Sequence, residues 1–401
     1  MMRGSCASLG LLLLGGAWAV ACGSDNDAPA TRSTDGGAGG TGAEAGAPPV
    51  DAGQSSGGAV TTGGTVSVIA GASHDAGAAG APTIENGGAG GATNADHGEL
   101  LFDSPSAGAA ARGDLFFVGG GLFWLYDLDG QSFIATGPAS GGERIDLIES
   151  SATITAFNVR SVIAYQAGAQ LFVHPASATK QAPVELTGAP TCVALSSAAG
   201  YVYCRSNTGS IVRWADSGGA GTVLATGVPA GADLVADAAP VNPANRKLYF
   251  CEDTGIIASI PLGGVGGGPI QAPQYFQINK QESSPRSLHV GVPGDDVLYW
   301  LNAPTAAPTR VRASAKTTPP VSNAGPELPT THVFTPYSWS AGAVIAIDHP
   351  DTSAQIAFVR FGQSFITPHF ESAAGVVGLA AELGHYYWLD REARVFGGVP
   401  E

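Results

Sequence analysis

At 401 residues the chain has room for two or three average domains, but 24 of its 58 glycines crowd into the first hundred residues, which leaves one folded domain behind a long preface. Only 13% of the residues are charged, and the segment after position 25 shows many short apolar runs in place of helical periodicity, which excludes a helical bundle and indicates an all-β chain. Net charge is −15, and residues 99–401 carry 16 basic against 25 acidic side chains, a surface that repels phosphate backbones and argues against nucleic acid as a partner.

Residues 1–21 have the form of an export signal. Arg3 supplies a positive start, and Leu9 to Val20 an apolar run too short to stay in a bilayer as a spanning helix. Ala19-Val20-Ala21-Cys22-Gly23 resembles a bacterial lipobox, in which Cys22 becomes the lipidated first residue. The alternative is an ordinary secretory cut after Ala19 or Ala21, both of which satisfy the small-x-small pattern. Gly23 after the Cys is the form expected of an outer-membrane lipoprotein, so the expected address is the cell envelope, with the membrane held through the lipid.

Residues 22–98 are mostly Gly, Ala, Ser, Thr, Asp and Pro. Apolar side chains are too few to offset the entropy of ordering, and the segment reads as a disordered tether with a span of roughly 50 Å. Two patterns here mimic catalytic motifs. Gly37-Ala38-Gly39-Gly40-Thr41-Gly42 matches a dinucleotide fingerprint but has no strand before it and no helix after it. Gly53-Gln54-Ser55-Ser56-Gly57 matches a nucleophile elbow, yet nothing around it holds the strained turn that motif requires. Val66-Ser67-Val68-Ile69 is the one apolar run of the tether.

Residues 99–401 repeat. An aromatic strand recurs as Leu122-Phe123-Trp124-Leu125, Val202-Tyr203-Cys204-Arg205, Leu248-Tyr249-Phe250-Cys251, Leu298-Tyr299-Trp300-Leu301-Asn302 and Tyr386-Tyr387-Trp388-Leu389-Asp390. The column positions Trp124, Cys204, Phe250, Trp300 and Trp388 are spaced 80, 46, 50 and 88 residues apart. The two double gaps predict further members near 164 and 344, where Ser161-Val162-Ile163-Ala164-Tyr165 and Ala343-Val344-Ile345-Ala346-Ile347-Asp348 stand. Seven units of about 40–50 residues match the four-stranded blades of a β-propeller, with six or eight blades as neighbouring counts. The last unit lacks its fourth strand, and Glu99-Leu100-Leu101-Phe102-Asp103 is the candidate to supply it and close the ring.

Tyr299-Trp300-Leu301-Asn302 and Tyr387-Trp388-Leu389-Asp390 resemble the Y-W-T-D signature of YWTD/NHL-like propellers, with Leu in place of Thr. The resemblance implies a propeller with the signature on the second strand of each blade. Six blades is usual in that family, against the seven counted here. The layout of lipobox, Gly-rich tether and degenerate propeller resembles exported bacterial lipoproteins.

Five cysteines are present. Cys6 leaves with the signal and Cys22 is the lipidation candidate. Cys192 and Cys204 fall on adjacent strands of one predicted hairpin, within disulfide reach in an oxidising compartment. Cys251 points to the opposite face in another blade and is expected free and buried. Asp127-Leu128-Asp129-Gly130 offers only two carboxylates and reads as a hairpin turn, not a calcium loop, with Asn207-Thr208-Gly209 and Asp253-Thr254-Gly255 as equivalents. His174, His289, His332, His349, His369 and His385 show no metal-ligand spacing, and no cofactor motif or catalytic residue emerges. The tryptophans read as blade core, with Trp339 the candidate for an exposed one.

The expected function is therefore binding by a monomeric, membrane-anchored propeller. An envelope protein, a polysaccharide or a small ligand would sit at one channel mouth. A propeller enzyme of lyase, lactonase or glycosidase type and a passive surface protein are the alternatives.

Overall fold

The computed structural model describes residues 98–229, 231, 233–237, 246–252, 255–262, 274–276, 285–291, 297–303, 309–316, 323–328, 333–337, 342–382 and 384–400. Cys22, the tether to residue 97 with its two mimic motifs and Val66–Ile69, Asp253-Thr254, His332 and Trp339 lie outside the described residues.

The described residues form 28 strands in seven four-stranded antiparallel sheets. Blade 1 holds β2 (Ala110–Val118), β3 (Gly121–Leu128), β4 (Gln131–Pro138) and β5 (Ile145–Ser150); blade 2 holds β6 (Ile154–Val159), β7 (Val162–Ala167), β8 (Gln170–Pro175) and β9 (Val184–Leu186). Blade 3 is β10 (Cys192–Ala198), β11 (Tyr201–Ser206), β12 (Ile211–Ala215) and β13 (Thr222–Ala225); blade 4 is β14 (Leu234–Ala236), β15 (Lys247–Cys251), β16 (Ile257–Pro261) and β17 (Gln274–Phe276). Blade 5 comprises β18 (Pro285–Val290), β19 (Val297–Asn302), β20 (Arg310–Ala315) and β21 (Asn323–Ala324); blade 6 comprises β22 (Val333–Tyr337), β23 (Gly342–Asp348), β24 (Ala354–Arg360) and β25 (Ile366–Ser372). Blade 7 takes β26 (Gly378–Glu382), β27 (His385–Leu389) and β28 (Val395–Gly398) from the C-terminus, and its fourth strand is β1 (Glu99–Phe102).

The predicted column is the second strand of every blade, and the two degraded members are β7 and β23. Its side chains fill the seams. Trp124, Trp300 and Trp388 are buried, and apolar clusters occupy all seven blade-to-blade interfaces. Leu389 meets Trp124 between blades 7 and 1, Phe123 meets Ile163 between 1 and 2, and Val173 meets Cys204 between 2 and 3. Tyr203 meets Leu248 between 3 and 4, Tyr249 meets Leu298 between 4 and 5, Tyr299 meets Ile345 between 5 and 6, and Ile356 meets Trp388 between 6 and 7. No blade buries both faces by itself, so the ring is the smallest unit with a complete core.

Closure is as predicted. β1 pairs with β28, Phe102 stacks on Trp124 at 5.2 Å, and its ring occupies the space beside Gly137 that any larger side chain would fill. Asp129 and Gly130 both have positive φ, 51° and 78°, so Asp127–Gly130 makes the primed turn that suits a tight hairpin, and Asp127 pairs with Arg112 at 3.0 Å. Cys192 and Cys204 form a disulfide with Cα atoms 5.5 Å apart. Cys192 faces Ser206 and Cys204 faces Leu195, so the bridge runs diagonally across a bulge at Val193. Cys251 is free and buried in the seam between blades 4 and 5, and burial pushes its thiol up.

Candidate functional site

Each inner strand (β2, β6, β10, β14, β18, β22, β26) pairs on one side only, with the second strand of its blade, and contacts the inner strands of both neighbouring blades. Their free edges line a channel. Inner strands begin at one end of it, the entry mouth, where the connections between blades and between second and third strands also gather. The tight turns between first and second strands lie at the exit mouth.

Four inner strands break register with their partners. In β2 the ladder slips between Arg112 and Phe116, opposite Trp124; in β18 it slips between Arg286 and His289, opposite Trp300. β6 slips between Ile154 and Ala156, and β10 between Cys192 and Ala194. A bulge leaves a residue unpaired and re-aims its side chain. The residues so released at the free edge are Asp114, Thr155, Val193 and Ser287. Thr155 and Val193 are exposed while the strand residues beside them are buried or half-buried, and Asp114 is exposed together with Gly113, next to buried Leu115. In β2 and β18 a left-handed residue makes the bulge: Gly113 at φ 72°, for which glycine carries no strain, and Ser287 at φ 52°, which must be held there.

What holds Ser287 is Asp233, at the entry of β14 one blade back. Asp233 Oδ2 accepts the Ser287 amide at 2.8 Å. Behind it lies Arg205 of β11, buried, with Nη1 donating to the carbonyls of Cys251 at 2.5 Å and Asp233 at 3.3 Å, and Nη2 donating to the carbonyl of Pro229. The guanidinium also stands over the Phe250 ring at 5.4 Å. Gly231 lets the loop between blades 3 and 4 close over it, since a Cβ there would meet Arg205 Nη1 at 2.8 Å.

The electrostatics follow from enclosure. Burial pushes the Asp233 carboxyl up to about 6, against the Ser287 amide, which favours the charged form, while the negative charge of Asp114 pushes it further up. Asp114 is open to channel water yet walled in by protein, and that enclosure pushes its carboxyl up too. The two carboxylates come from blades 1 and 4 and feel each other across the lumen. Nearer the exit mouth, burial lowers the Arg160 pKa against the nearby charge of Asp237, and burial together with Arg160 pushes His289 down to about 4, so His289 is neutral at physiological pH. Its ring packs edge-on against Phe334 at 4.8 Å.

Most of the residues singled out from the sequence lie elsewhere. His174 is buried, its Nδ1 2.7 Å from the Pro175 carbonyl and its Nε2 accepting the Gln181 amide at 3.2 Å. His349 stands 3.8 Å from Glu371 within blade 6, and His369 of blade 6 packs edge-on against Tyr386 of blade 7 at 5.5 Å. Among the described residues no group of three His, Cys, Asp or Glu side chains is placed to hold a metal ion. The entry-mouth residues Asp114, Val193, Asp233 and Arg286 belong to no spacing motif; the one available signal was that Gly113-Asp114 interrupts an inner strand.

No protein-family model matches the chain, and no curated protein sequence does. Solved structures do. A virginiamycin B lyase from Staphylococcus aureus with quinupristin aligns over 77% of this chain and 97% of its own, at 13% identity and TM-score 0.51. The Pan2 WD40 domain of Neurospora crassa aligns over 76% and 95%, at 10% identity and TM-score 0.50.

The likeness is one of fold: a seven-bladed β-propeller.

Propellers at this identity share architecture while differing in what they bind or convert, so the chemistry has to be argued from the mouth itself.

Proposed function

We propose that this propeller is a binding module of the bacterial cell envelope, anchored through a lipid on Cys22 and holding its ligand or protein partner at the entry mouth. The observation that carries the reading is the row of released side chains there. Four inner strands give up ladder pairing on the same half of the channel, and two enclosed carboxylates sit with them at a cost to the fold. Ligand sites in ring-shaped folds draw residues from many loops, which is also why no motif marks this one.

Anchoring and binding are tested separately. Cys22→Ser should move the protein from the membrane fraction to the soluble one, and intact mass of the membrane-extracted wild type should begin at a lipid-bearing Cys22; an unlipidated wild type starting at Val20 or Cys22 overturns the anchor. For the mouth, Val193→Arg places a long cation at the entry, whereas Val223→Arg places it on the outer strand of the same blade. Retention of envelope components on the immobilised head should fall with the first variant and persist with the second.

The raised carboxyls support a second reading. Two carboxylates that repel each other in an enclosed site are suited to acid and base roles, as in a carbohydrate-cleaving enzyme. Turnover of envelope polysaccharide abolished by Asp114→Asn would favour it.

A further inference from the structure

The mouth carries both signs of charge, and this deepens the binding reading on which it rests. Arg286 of β18 occupies the place that Arg112 occupies in β2: each lies opposite the residue after the column tryptophan, Leu301 and Leu125, and just before the left-handed bulge residue. Arg112 is neutralised by Asp127 at 3.0 Å. In blade 5 the residue at the position of Asp127 is Ala303, so that partner is missing. Arg286 is exposed and, among the described residues, has no carboxylate at ion-pair distance. The Asp114 carboxylate likewise has neither a hydrogen bond nor an ion pair among them. Other arginines of the ring, Arg144, Arg310 and Arg394, are paired within their own blades. Arg286 and the two carboxylates stand on the entry half of the channel. The bond from the Ser287 amide to Asp233 sets Arg286 one residue from a carboxylate, and Asp114 faces that carboxylate from across the lumen. Arg205, behind Asp233, favours its charged form, while the guanidinium donates to the backbone carbonyls of Asp233, Cys251 and Pro229.

We propose that the entry mouth recognises a zwitterion, an amino acid or short peptide, with its ammonium group between Asp114 and Asp233 and its carboxylate on Arg286. The Thr155 hydroxyl and the Val193 side chain complete the wall, a hydrogen-bonding group and an apolar contact for the ligand between its charged ends. Charge-assisted bonds in a partly enclosed site are the strong kind, and each end contributes on its own.

The test uses the full chain and three probes, tri-alanine, N-acetyl-tri-alanine and tri-alanine amide, with L-alanine to separate a free amino acid from a peptide. Calorimetry or ligand-observed NMR should show tri-alanine or alanine bound by the wild type, and a loss of tenfold or more when either end is capped. Asp114→Asn should erase the penalty of acetylation and Arg286→Gln that of amidation; Arg286→Lys should retain part of the preference for the free acid. Asp129→Asn, on the exposed hairpin of blade 1, should change nothing. Both mouth side chains are exposed, so the variants should fold: Arg286→Gln should leave the melting temperature unchanged, and Asp114→Asn, which removes an enclosed charge, should not lower it. Capped probes that bind as well as the free peptide overturn the proposal, as does a loss no larger than that of Asp129→Asn. If no probe binds while Val193→Arg still abolishes retention of envelope components, the zwitterion is wrong and the mouth stands; if Val193→Arg retains them, the mouth reading itself fails.

Discussion

Asp233 is held in its less comfortable ionisation state. Its carboxyl titrates near 6 in the fold and at about 3.9 in an unfolded chain. The native state therefore binds the extra proton between those values. Its stabilising contribution is complete below about pH 4 and is lost as pH rises through 6. Above that, the charge costs at most about 3 kcal/mol for a shift of about two units, reduced by channel water. Asp233→Asn keeps an oxygen for the Ser287 amide and removes the charge. Its melting temperature should exceed that of the wild type at pH 7.5 and converge with it near pH 4.5, measured by calorimetry across that range; a lower value at pH 7.5 would show that the charge stabilises the bulge. A charge retained against stability is the pattern of a residue kept for binding. Buried polar residues two places after the column have an opposite role. The Gln166 carbonyl oxygen takes the Cys192 amide at 2.5 Å, and Asp390 takes the Glu392 and Arg394 amides at 3.0 and 2.9 Å, so they tie blades and turns together.

Among the elements, β1 is a short strand on which closure of the ring depends. Four residues close the ring, and Phe102 reaches Trp124 only because Gly137 has no side chain. Gly137→Ala sets a methyl among the Phe102 ring atoms. It should cost about 1–3 kcal/mol by overpacking and expose Glu99–Phe102 to proteolysis before any other strand, as mass spectrometry of early fragments would show. The aromatic strands, this closure and the Cys192–Cys204 bridge were legible in the sequence, because each follows from which side chains are large, which turns need glycine, and what period separates them. The mouth was not. Bulges in β2, β6, β10 and β18 depend on a slip of one or two residues between paired strands, which alternation of apolar residues does not record. Asp114 and Asp233 are 119 residues apart in the chain, and only the ring geometry sets both on one channel. Asn302 and Asp390 stood in the quoted signature, yet their burial became visible only with the turns built.

At the scale of the whole ring, the seam between blades 4 and 5 differs from the others. β14 has three residues, the shortest inner strand, and polar contacts clamp it at both ends: Asp233 to the Ser287 amide at the entry, and Asp237 to Lys316 at 3.0 Å at the exit, both side chains 5% exposed. A buried pair of this kind is expensive to break and cheap to replace as a unit. Lys316→Met should destabilise the ring by about 3–5 kcal/mol, and adding Asp237→Leu should restore most of the loss, measured by denaturant unfolding of both variants. Failure of the double variant to recover would mean that the pair does more than neutralise itself.

The joint between β1 and β28 also sets an order of events. A ribosome delivers Glu99–Phe102 almost three hundred residues before Val395–Gly398, so the earliest strand of the ring has no mate until β28 is made. Six sheets can assemble in sequence behind it, each from neighbouring segments, while the seventh waits. A chain that stops before Val395 would therefore leave the ring open, with β1 and β27 each offering a bare edge to the next copy it meets.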